Sequence, residues 1–431
     1  MVKYQRPRGT KDILPGETEK WQYIEDTARM LFQDYRYREI RTPMIENYHV
    51  FSRSSGDTSD IVSKEMYDFH DKGGRHIALR PEGTAGVVRA FIQNKLYGPD
   101  TPKPYKVYYM GPMFRYEHPQ SGREREFHQI GVESFGSKSA EMDVEVIAMA
   151  MDLLHQYGLK HLHLALNTLG DRKTKDTYCK ALIKYLEPHF NELSEDSQKR
   201  MHKNPLRVLD SKDPRDKKFV AGAPSILDYL TPEAKAHFDR VKQLLDALGI
   251  KYYVSPDVVR GLDYYNHTIF EIMVKSSAFG NGFTTVCAGG RYNKLVHQLG
   301  GPEVPGIGFG LGVERLILVM KSKHLPFPKA NPLDAFVVNI GDKADIASLK
   351  LVQDLRNQGI STDRDYTGRK PGSQFKMANK LDAHYTLTIG DKELKNNSVS
   401  IKSMDSGKQV TVPLDKVAKH FSDVVNKDFD E

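Results

Sequence analysis

Cysteine is nearly absent: only Cys179 and Cys287 occur in 431 residues. Two thiols so far apart make neither a disulfide scaffold nor a zinc cluster, and they fit a reducing cytoplasm. Long apolar runs are missing as well. With a mean hydropathy of -0.55 and no uninterrupted apolar stretch of about 18 residues, no membrane span is expected. Pro7, Asp12, Pro15, Glu17 and Glu19 fall within the first turns of chain, so no secretory signal peptide is expected either. Charge of one sign is scarce: 63 Lys and Arg face 56 Asp and Glu, leaving +7. That is a mild bias towards polyanions, weaker than a nucleic-acid coat would carry. The glycine-lysine phosphate loop and the strand-linked dinucleotide glycine pattern do not occur. The sixteen histidines have no metal spacing, and no Ser-His-Asp arrangement is indicated.

What is present suits a multidomain globular protein. At about 150 residues per domain the length corresponds to roughly three domains. Apolar residues at 39% and charged residues at 28% are sufficient for hydrophobic cores. Trp21, Ile24, Ala28, Leu31, Phe32 and Tyr35 recur at helical steps and predict a helix over 17–37. The hydroxyl-rich stretch 52–63 reads as a mobile loop. A strand at His76–Leu79 leads into a helix over 84–95, and 105–136 reads as two strands around a polar turn. A helix over 141–157 closes at Gly158. An alternating strand over 161–167 puts Leu162, Leu164 and Leu166 on one face. From 171 to 253 the pattern is mostly helical, and 199–218 holds eight basic and three acidic side chains. Strands return at 268–274 and 284–288, with helices at 291–299 and 313–321. Pro326, Pro328 and Pro332 mark a linker. Beyond it, strands alternating with helices predict a small α/β domain.

Several polar groups stand where strands or turns would display them. If 107–114 and 127–135 form a hairpin, alternation sends Gln129, Gly131 and Glu133 to one face, with Arg115 beside them. An arginine fork suits phosphate, and Gln with Glu suits an amine. Cross-strand ion pairs on a solvated face are the plainer alternative. In Arg80-Pro81-Glu82-Gly83-Thr84, Thr84 can cap the following helix and Glu82 can accept from an ammonium; turn formation alone explains the segment equally well. Arg260-Gly261-Leu262-Asp263-Tyr264-Tyr265 joins a cation, a glycine and two tyrosines that share a pocket only if the chain turns. Cys287-Ala288-Gly289-Gly290-Arg291-Tyr292 has paired glycines at a strand end. From Gly306 to Gly312, glycines alternate with bulky residues ahead of Arg315. Alternate glycines bare one sheet face for a flat group, or simply allow tight strand packing. Together these features point to a nucleotide held by two or three arginines.

The blocks LRPEGT (79–84), GPMFRYEHPQSGREREFHQIGVE (111–133), RGLDYYNHTIFE (260–271), CAGGRYNKLV (287–296) and GFGLGVERL (308–316) follow one another in this order. Through them the chain resembles the histidyl-tRNA synthetases, class II aminoacyl-tRNA synthetases, over essentially its whole length. The resemblance implies an α+β fold, with a six-stranded antiparallel catalytic sheet flanked by helices. It implies a catalytic domain over 1–325 with an inserted helical region at about 171–253, then a linker and an α/β anticodon-binding domain over 326–431. It implies histidine–tRNA ligation: ATP and L-histidine give histidyl-adenylate and pyrophosphate, and histidine then passes to the 3′-terminal adenosine of its tRNA. ATP with Mg²⁺ is the implied nucleotide substrate, without zinc or an organic prosthetic group. A cytoplasmic homodimer with no membrane association is implied, with 37–43 contributing to the subunit interface.

Residue roles follow from the same resemblance. Arg115 would bind the α-phosphate, Arg315 the γ-phosphate, and Arg260 both the α-phosphate and the reacting histidine. Glu82, Gln129 and Tyr264 would surround the substrate amino group, with Thr84 in the same pocket. Glu133 and Tyr265 would read the imidazole, and Tyr292 with Gly289-Gly290 would form the wall. Gln120, Arg123 and Arg125 match acceptor-end contacts, and 199–218 would approach the acceptor arm. Arg364, Arg369, Lys370, Lys376 and Lys380 would form the anticodon surface. His118 stands where arginine is frequent, Glu124 and Glu126 replace neutral residues, and Asn293-Lys294 replaces Asp-Gly. The related regulatory subunit of ATP phosphoribosyltransferase, and a sensor that binds RNA without catalysis, are the other readings. Residues 332–431 together with Arg115, Arg260 and Arg315 speak against the first, and the sequence argues against the lost chemistry that the second requires.

Overall fold

Alternating large and small side chains along the strands make two unlike faces, and the two faces take different roles. The computed structural model describes residues 4–56, 59–211, 213–256, 258–259, 262–280, 282–328 and 333–429. Two compact units result, residues 1–327 and 328–431.

Among the described residues of the first unit the strands are β1 (Arg38–Glu39), β2 (Ile45–Asn47), β3 (Asp68–His70), β4 (His76–Leu79), β5 (Tyr105–Phe114), β6 (Glu126–Phe135), β7 (His163–Thr168), β8 (Tyr252–Val254), β9 (Asn266–Lys275), β10 (Phe283–Arg291) and β11 (Gly306–Gly312). The main sheet has the order β1-β5-β6-β11-β10-β9-β7-β8. Its middle six strands, β5 to β7 in that order, are mutually antiparallel. The six-stranded antiparallel sheet is thus the centre of an eight-stranded mixed one, because β1 and β8 add parallel edges. Those edges are two and three residues long, too short to carry a periodic signal.

One sheet face is the larger apolar core. Tyr108, Ile130, Val132, Phe309, Leu311, Leu164, Leu166, Phe270 and Ile272 meet the helices Thr18–Asp34, Ala140–Gln156, Pro232–Ala247 and Val313–Ser322 there. The other face carries Val107, Tyr109 and Glu133 beneath the helix Thr84–Gln93. On β7 the residues that alternate with the leucines, Ala165 and Asn167, are buried too, and only His163 at the strand's start is exposed. The inserted helices Arg172–Leu186, Glu195–Met201, Leu206–Leu209 and Pro214–Val220 gather around the buried Asp216. Its carboxylate accepts from Ser194 N and Oγ at 2.8 and 2.7 Å, Ser197 Oγ at 2.6 Å and Ser211 Oγ at 2.5 Å.

Two expected elements differ. The stretch read as a mobile loop, 52–63, begins in the last turn of a helix, Tyr48–Ser55, and ends in a wide helical turn, Ile61–Glu65. Asn47 caps the helix by accepting from His49 N at 2.9 Å, and Phe51 is wholly buried. The helix placed over 291–299 shrinks to Leu295–Gln298. Arg291 instead ends β10, since its fully buried guanidinium is committed to Asp143 and to the Ser137 and Ser139 carbonyls.

In the second unit, β12 (Ala335–Asn339), β13 (Thr362–Arg364), β14 (Tyr385–Ile389), β15 (Ser398–Ser403) and β16 (Gln409–Pro413) form a sheet of order β13-β12-β14-β15-β16. β13, β12 and β14 are parallel, while β15 and β16 are antiparallel additions. Leu351, Val352 and Leu355 of the helix Ala344–Asn357, with Val417, Phe421 and Val424 of the last helix, cover one face. Ala378 of the helix Pro371–Lys380 meets Phe336 and Val338 on the other.

Candidate active site

Strand register brings the site together. Tyr109, Gly131, Gly310 and Ala288 lie abreast across β5, β6, β11 and β10; beside them run Val107, Glu133, Gly308 and Gly290. The alternating glycines serve two purposes. A Cβ on Gly308 would stand 2.1 Å from Glu133 Oε2 and from the Val132 carbonyl, and one on Gly306 would strike the Tyr292 ring at 2.2 Å. These two make room for the protein's own pocket. A Cβ on Gly310 would meet nothing nearer than Gln129 Nε2 at 3.9 Å, so here the bare backbone faces the adjoining cleft.

Glu133 is the pocket floor and only 1% exposed. Thr84 Oγ1 donates to its Oε1 at 2.7 Å, and the Tyr292 hydroxyl donates to Oε2. Burial pushes its carboxyl up to about 8, against the pull of those two bonds. Glu82, also buried, caps the helix Thr84–Gln93: its carboxylate accepts from Thr84 N at 2.6 Å and Ala85 N at 2.8 Å. Burial raises Glu82 as well, while those amides pull it down. Tyr264 packs on Tyr265 at 4.6 Å and edge-on to Tyr292 at 5.6 Å between ring centres. Tyr109 completes the aromatic wall and fits because Gly83 and Gly131 have no side chains: a Cβ on either would lie within 2.4 Å of its ring. A polar ligand here meets buried acceptors and hydroxyls with little water to compete, the condition for strong discrimination.

Next to this pocket opens a cleft of about 230 Å³ lined by Arg115, Arg123, Phe127, Gln129, Gly310 and Arg315, among others. Arg115 is aimed by its surroundings: Nε donates to the Pro81 carbonyl at 2.8 Å, and its plane lies 5.2 Å from the Phe127 ring centre. Arg315, at the start of the helix Val313–Ser322, donates to the Thr285 carbonyl at 3.1 Å and lies 5.5 Å from the Phe279 ring. Burial, then the nearby Arg123, lowers the Arg315 pKa, so an anion in the cleft relieves both. Glu117 Oε2 lies 3.4 Å from Arg123, and its Oε1 lies 3.8 Å from Arg115.

The structure therefore gathers Glu82, Thr84, Glu133, Tyr264, Tyr265 and Tyr292 in one buried cluster, and Arg115, Arg123, Gln129 and Arg315 around the adjoining cleft. Arg260 lies outside the described residues. Gln120 is exposed on a tight turn closed by backbone bonds with Arg123 at 3.0 and 2.8 Å. Arg125 stacks on Tyr116 at 3.7 Å, and Glu124 pairs with Lys11 at 2.8 Å. In the second unit Arg369, Lys370, Lys376 and Lys380 are exposed. Arg364 departs from the expected surface: it is 9% exposed and bonds Asp345 through Nη2 at 2.7 Å and Nη1 at 2.9 Å, so it frames the fold. Within 199–218, Arg200, Arg207, Arg215 and Lys218 are paired with Asp60, Asp263, Asp213 and Glu192.

Sequence reasoning missed Tyr109, Arg80 and the Asp143–Arg291 pair. The glycines opposite Tyr109 were the available signal, but they speak only once the register is known. Arg80 is buried and donates to the Pro112 and Thr42 carbonyls at 2.8 and 3.0 Å, tying Glu82 to the hairpin.

Residues 9–316 match the family model described as histidyl-tRNA synthetase, and 334–423 match that of an anticodon-binding domain. The chain is 65% identical to the histidine–tRNA ligase of Levilactobacillus brevis and 63% identical to that of Lactiplantibacillus plantarum. The first alignment covers 99% of both chains; the second covers 99% of this chain and 100% of the other. Its structure is similar to the apo histidyl-tRNA synthetase of S. aureus, with a TM-score of 0.84 and 43% identity over 97% of this chain and 99% of that one.

Proposed function

The chain belongs to the histidyl-tRNA synthetase family of class II aminoacyl-tRNA synthetases, and on that premise we propose how its own residues serve the reaction. That reaction has two steps: histidine and ATP give histidyl-adenylate and pyrophosphate, and histidine is then transferred to its tRNA. Glu133 and Tyr265 read the imidazole, while Glu82, Thr84, Gln129 and Tyr264 surround the amino group, with Tyr292 as wall. The arrangement that carries this reading is Glu133, held by Thr84 and Tyr292 beneath an aromatic wall and next to a cleft with arginines at its rim.

Arg115 binds the α-phosphate and Arg315 the γ-phosphate of ATP lying along the bare Gly310 backbone. Arg260 is assigned on sequence alone, to the α-phosphate as the histidine carboxylate attacks. The carboxylate oxygen forms the bond to phosphorus as the bond to pyrophosphate breaks, so the arginines stabilise charge that moves onto the leaving group. Mg²⁺ enters as the ATP complex. Among the described residues no three His, Cys, Asp or Glu side chains gather as a metal cage. Gln120, Arg123 and Arg125 meet the tRNA acceptor end, and Arg369, Lys370 and Lys376 meet the anticodon stem-loop.

No helix among the described residues is long and apolar enough to cross a membrane, and we place the enzyme in the cytoplasm as a homodimer. Met30, Met44 and Ile45, between 50 and 61% exposed, support an interface near 37–43. ATP–pyrophosphate exchange across a panel of amino acids tests the pocket: histidine alone supports exchange. Exchange with another amino acid, or none with saturating histidine and Mg²⁺–ATP, overturns the assignment.

A further inference from the structure

Asp263 directly precedes Tyr264, yet its bonds lead away from the pocket into the inserted helices. Asn204 Nδ2 donates to Asp263 Oδ1 at 2.7 Å, and Arg207 Nε lies 3.7 Å from the same oxygen. Lys175 Nζ donates to the Asp263 backbone carbonyl at 3.4 Å. The other carboxylate oxygen faces Gly56, where φ is +80° and a Cβ would stand only 2.5 Å from it. The segment that begins there is gripped by the same inserted helices: Arg200 donates to Asp60 at 2.8 Å, and Lys64 lies 3.3 Å from Asp196. The segment ends beside the nucleotide cleft, where Tyr116 N donates to the Glu65 carbonyl at 2.6 Å, one residue from Arg115.

We propose that Asp263 is a positioning residue through which the inserted helical region sets the histidine-binding loop, with Asn204 as its partner and Gly56 as the stop on its far side. The inference rests on Tyr264 and Tyr265 being histidine-binding residues. Asn204 lies off the nucleotide cleft and lines a small cavity with Asp263 and Tyr265, and its hydrogen bond to this loop is the one to the Asp263 carboxylate. The carboxylate is a charged acceptor in a largely enclosed site, where a lost bond costs more than at the surface. By linkage, whatever shifts the inserted helices on binding them alters histidine affinity, and histidine alters that binding in return.

Steady-state ATP–pyrophosphate exchange without tRNA tests this on the full-length protein carrying Asn204→Ala, Asp263→Asn or both, with Glu133→Gln for comparison. Each single variant is expected to raise the histidine KM by about tenfold while the ATP KM stays within about twofold. The double variant should be no worse than the weaker-binding single, because both changes remove one junction. Asn204→Ala carries the test if Asp263→Asn melts early by circular dichroism. An unchanged histidine KM in both singles while Glu133→Gln raises it overturns the positioning role and leaves the pocket intact. Effects that multiply in the double variant also overturn it. An unchanged KM in all of them overturns the pocket reading together with the inference.

Discussion

At 1% exposure the Glu133 carboxyl depends on two hydroxyls for its hydrogen bonds, and burial raises it to about 8. The folded protein therefore holds this proton more tightly than the unfolded chain does, whose carboxyl titrates near 4.5. Between these values the folded state binds more protons, so stability falls as pH rises through the window and levels off above it. Thermal melts of the ligand-free protein should show that fall, and Glu133→Gln should flatten it. The same variant should raise the histidine KM by about 10- to 100-fold, since a pocket built to bond both imidazole nitrogens rejects a mismatched partner. Asp143 shows the structural counterpart. It is fully buried against Arg291, with Thr268 Oγ1 at 2.6 Å and His237 Nε2 at 2.7 Å. Asp143→Ala leaves a buried guanidinium without its counter-charge, and chemical denaturation should register a loss of about 3–5 kcal/mol.

A strand can be made of glycine for opposite reasons along its own length, as β11 is. Gly308→Ala drives a methyl into the Glu133 carboxylate and the neighbouring backbone, and it should abolish histidine-dependent exchange. Gly310→Ala places its methyl in open cleft space. It should leave the melting temperature nearly unchanged and raise the KM for ATP well before that for histidine. Initial-rate measurements with each substrate varied in turn distinguish the two. The last helix, Leu414–Phe429, breaks its regular path at His420. Gln358 spans the break: its amide donates to the Ala418 carbonyl at 2.9 Å and accepts from Phe421 N at 3.0 Å. Gln358→Leu strands those groups, and urea denaturation should show a loss of about 1–3 kcal/mol.

Each unit, 1–327 and 328–431, has its own apolar core, which separates the chemistry from one part of the RNA contact. Arg369→Ala with Lys370→Ala should raise the KM for tRNA about tenfold and lower the slope of log affinity against log salt by about 2 units. Pyrophosphate exchange should be unaffected. A matching fall in exchange would mean that these side chains support the catalytic unit instead. Arg364, the first residue of the same basic run as read from sequence, is excluded from that pair because it is buried and committed to Asp345.

Local chemistry is legible in a sequence when it repeats or when its residues are neighbours. The periodic helix at Thr18–Asp34, the alternation of β6 and the order of five blocks all lie in such short stretches, and with them came the sheet, the nucleotide and the amino acid. The eight-stranded edges, the helix Tyr48–Ser55, the buried Arg364 and the Tyr109 wall did not. Apart from that helix, each depends on a partner far along the chain: Val107 for Arg38, Gly131 for Tyr109, Asp345 for Arg364. The sequence by itself determined which groups the protein has to offer and on which face of a strand or helix each stands. Only the tertiary structure decided which of them are spent on one another. Burial and hydrogen bonding are settled by contacts between distant segments, and those contacts leave Arg369 exposed while Arg364 is locked in place.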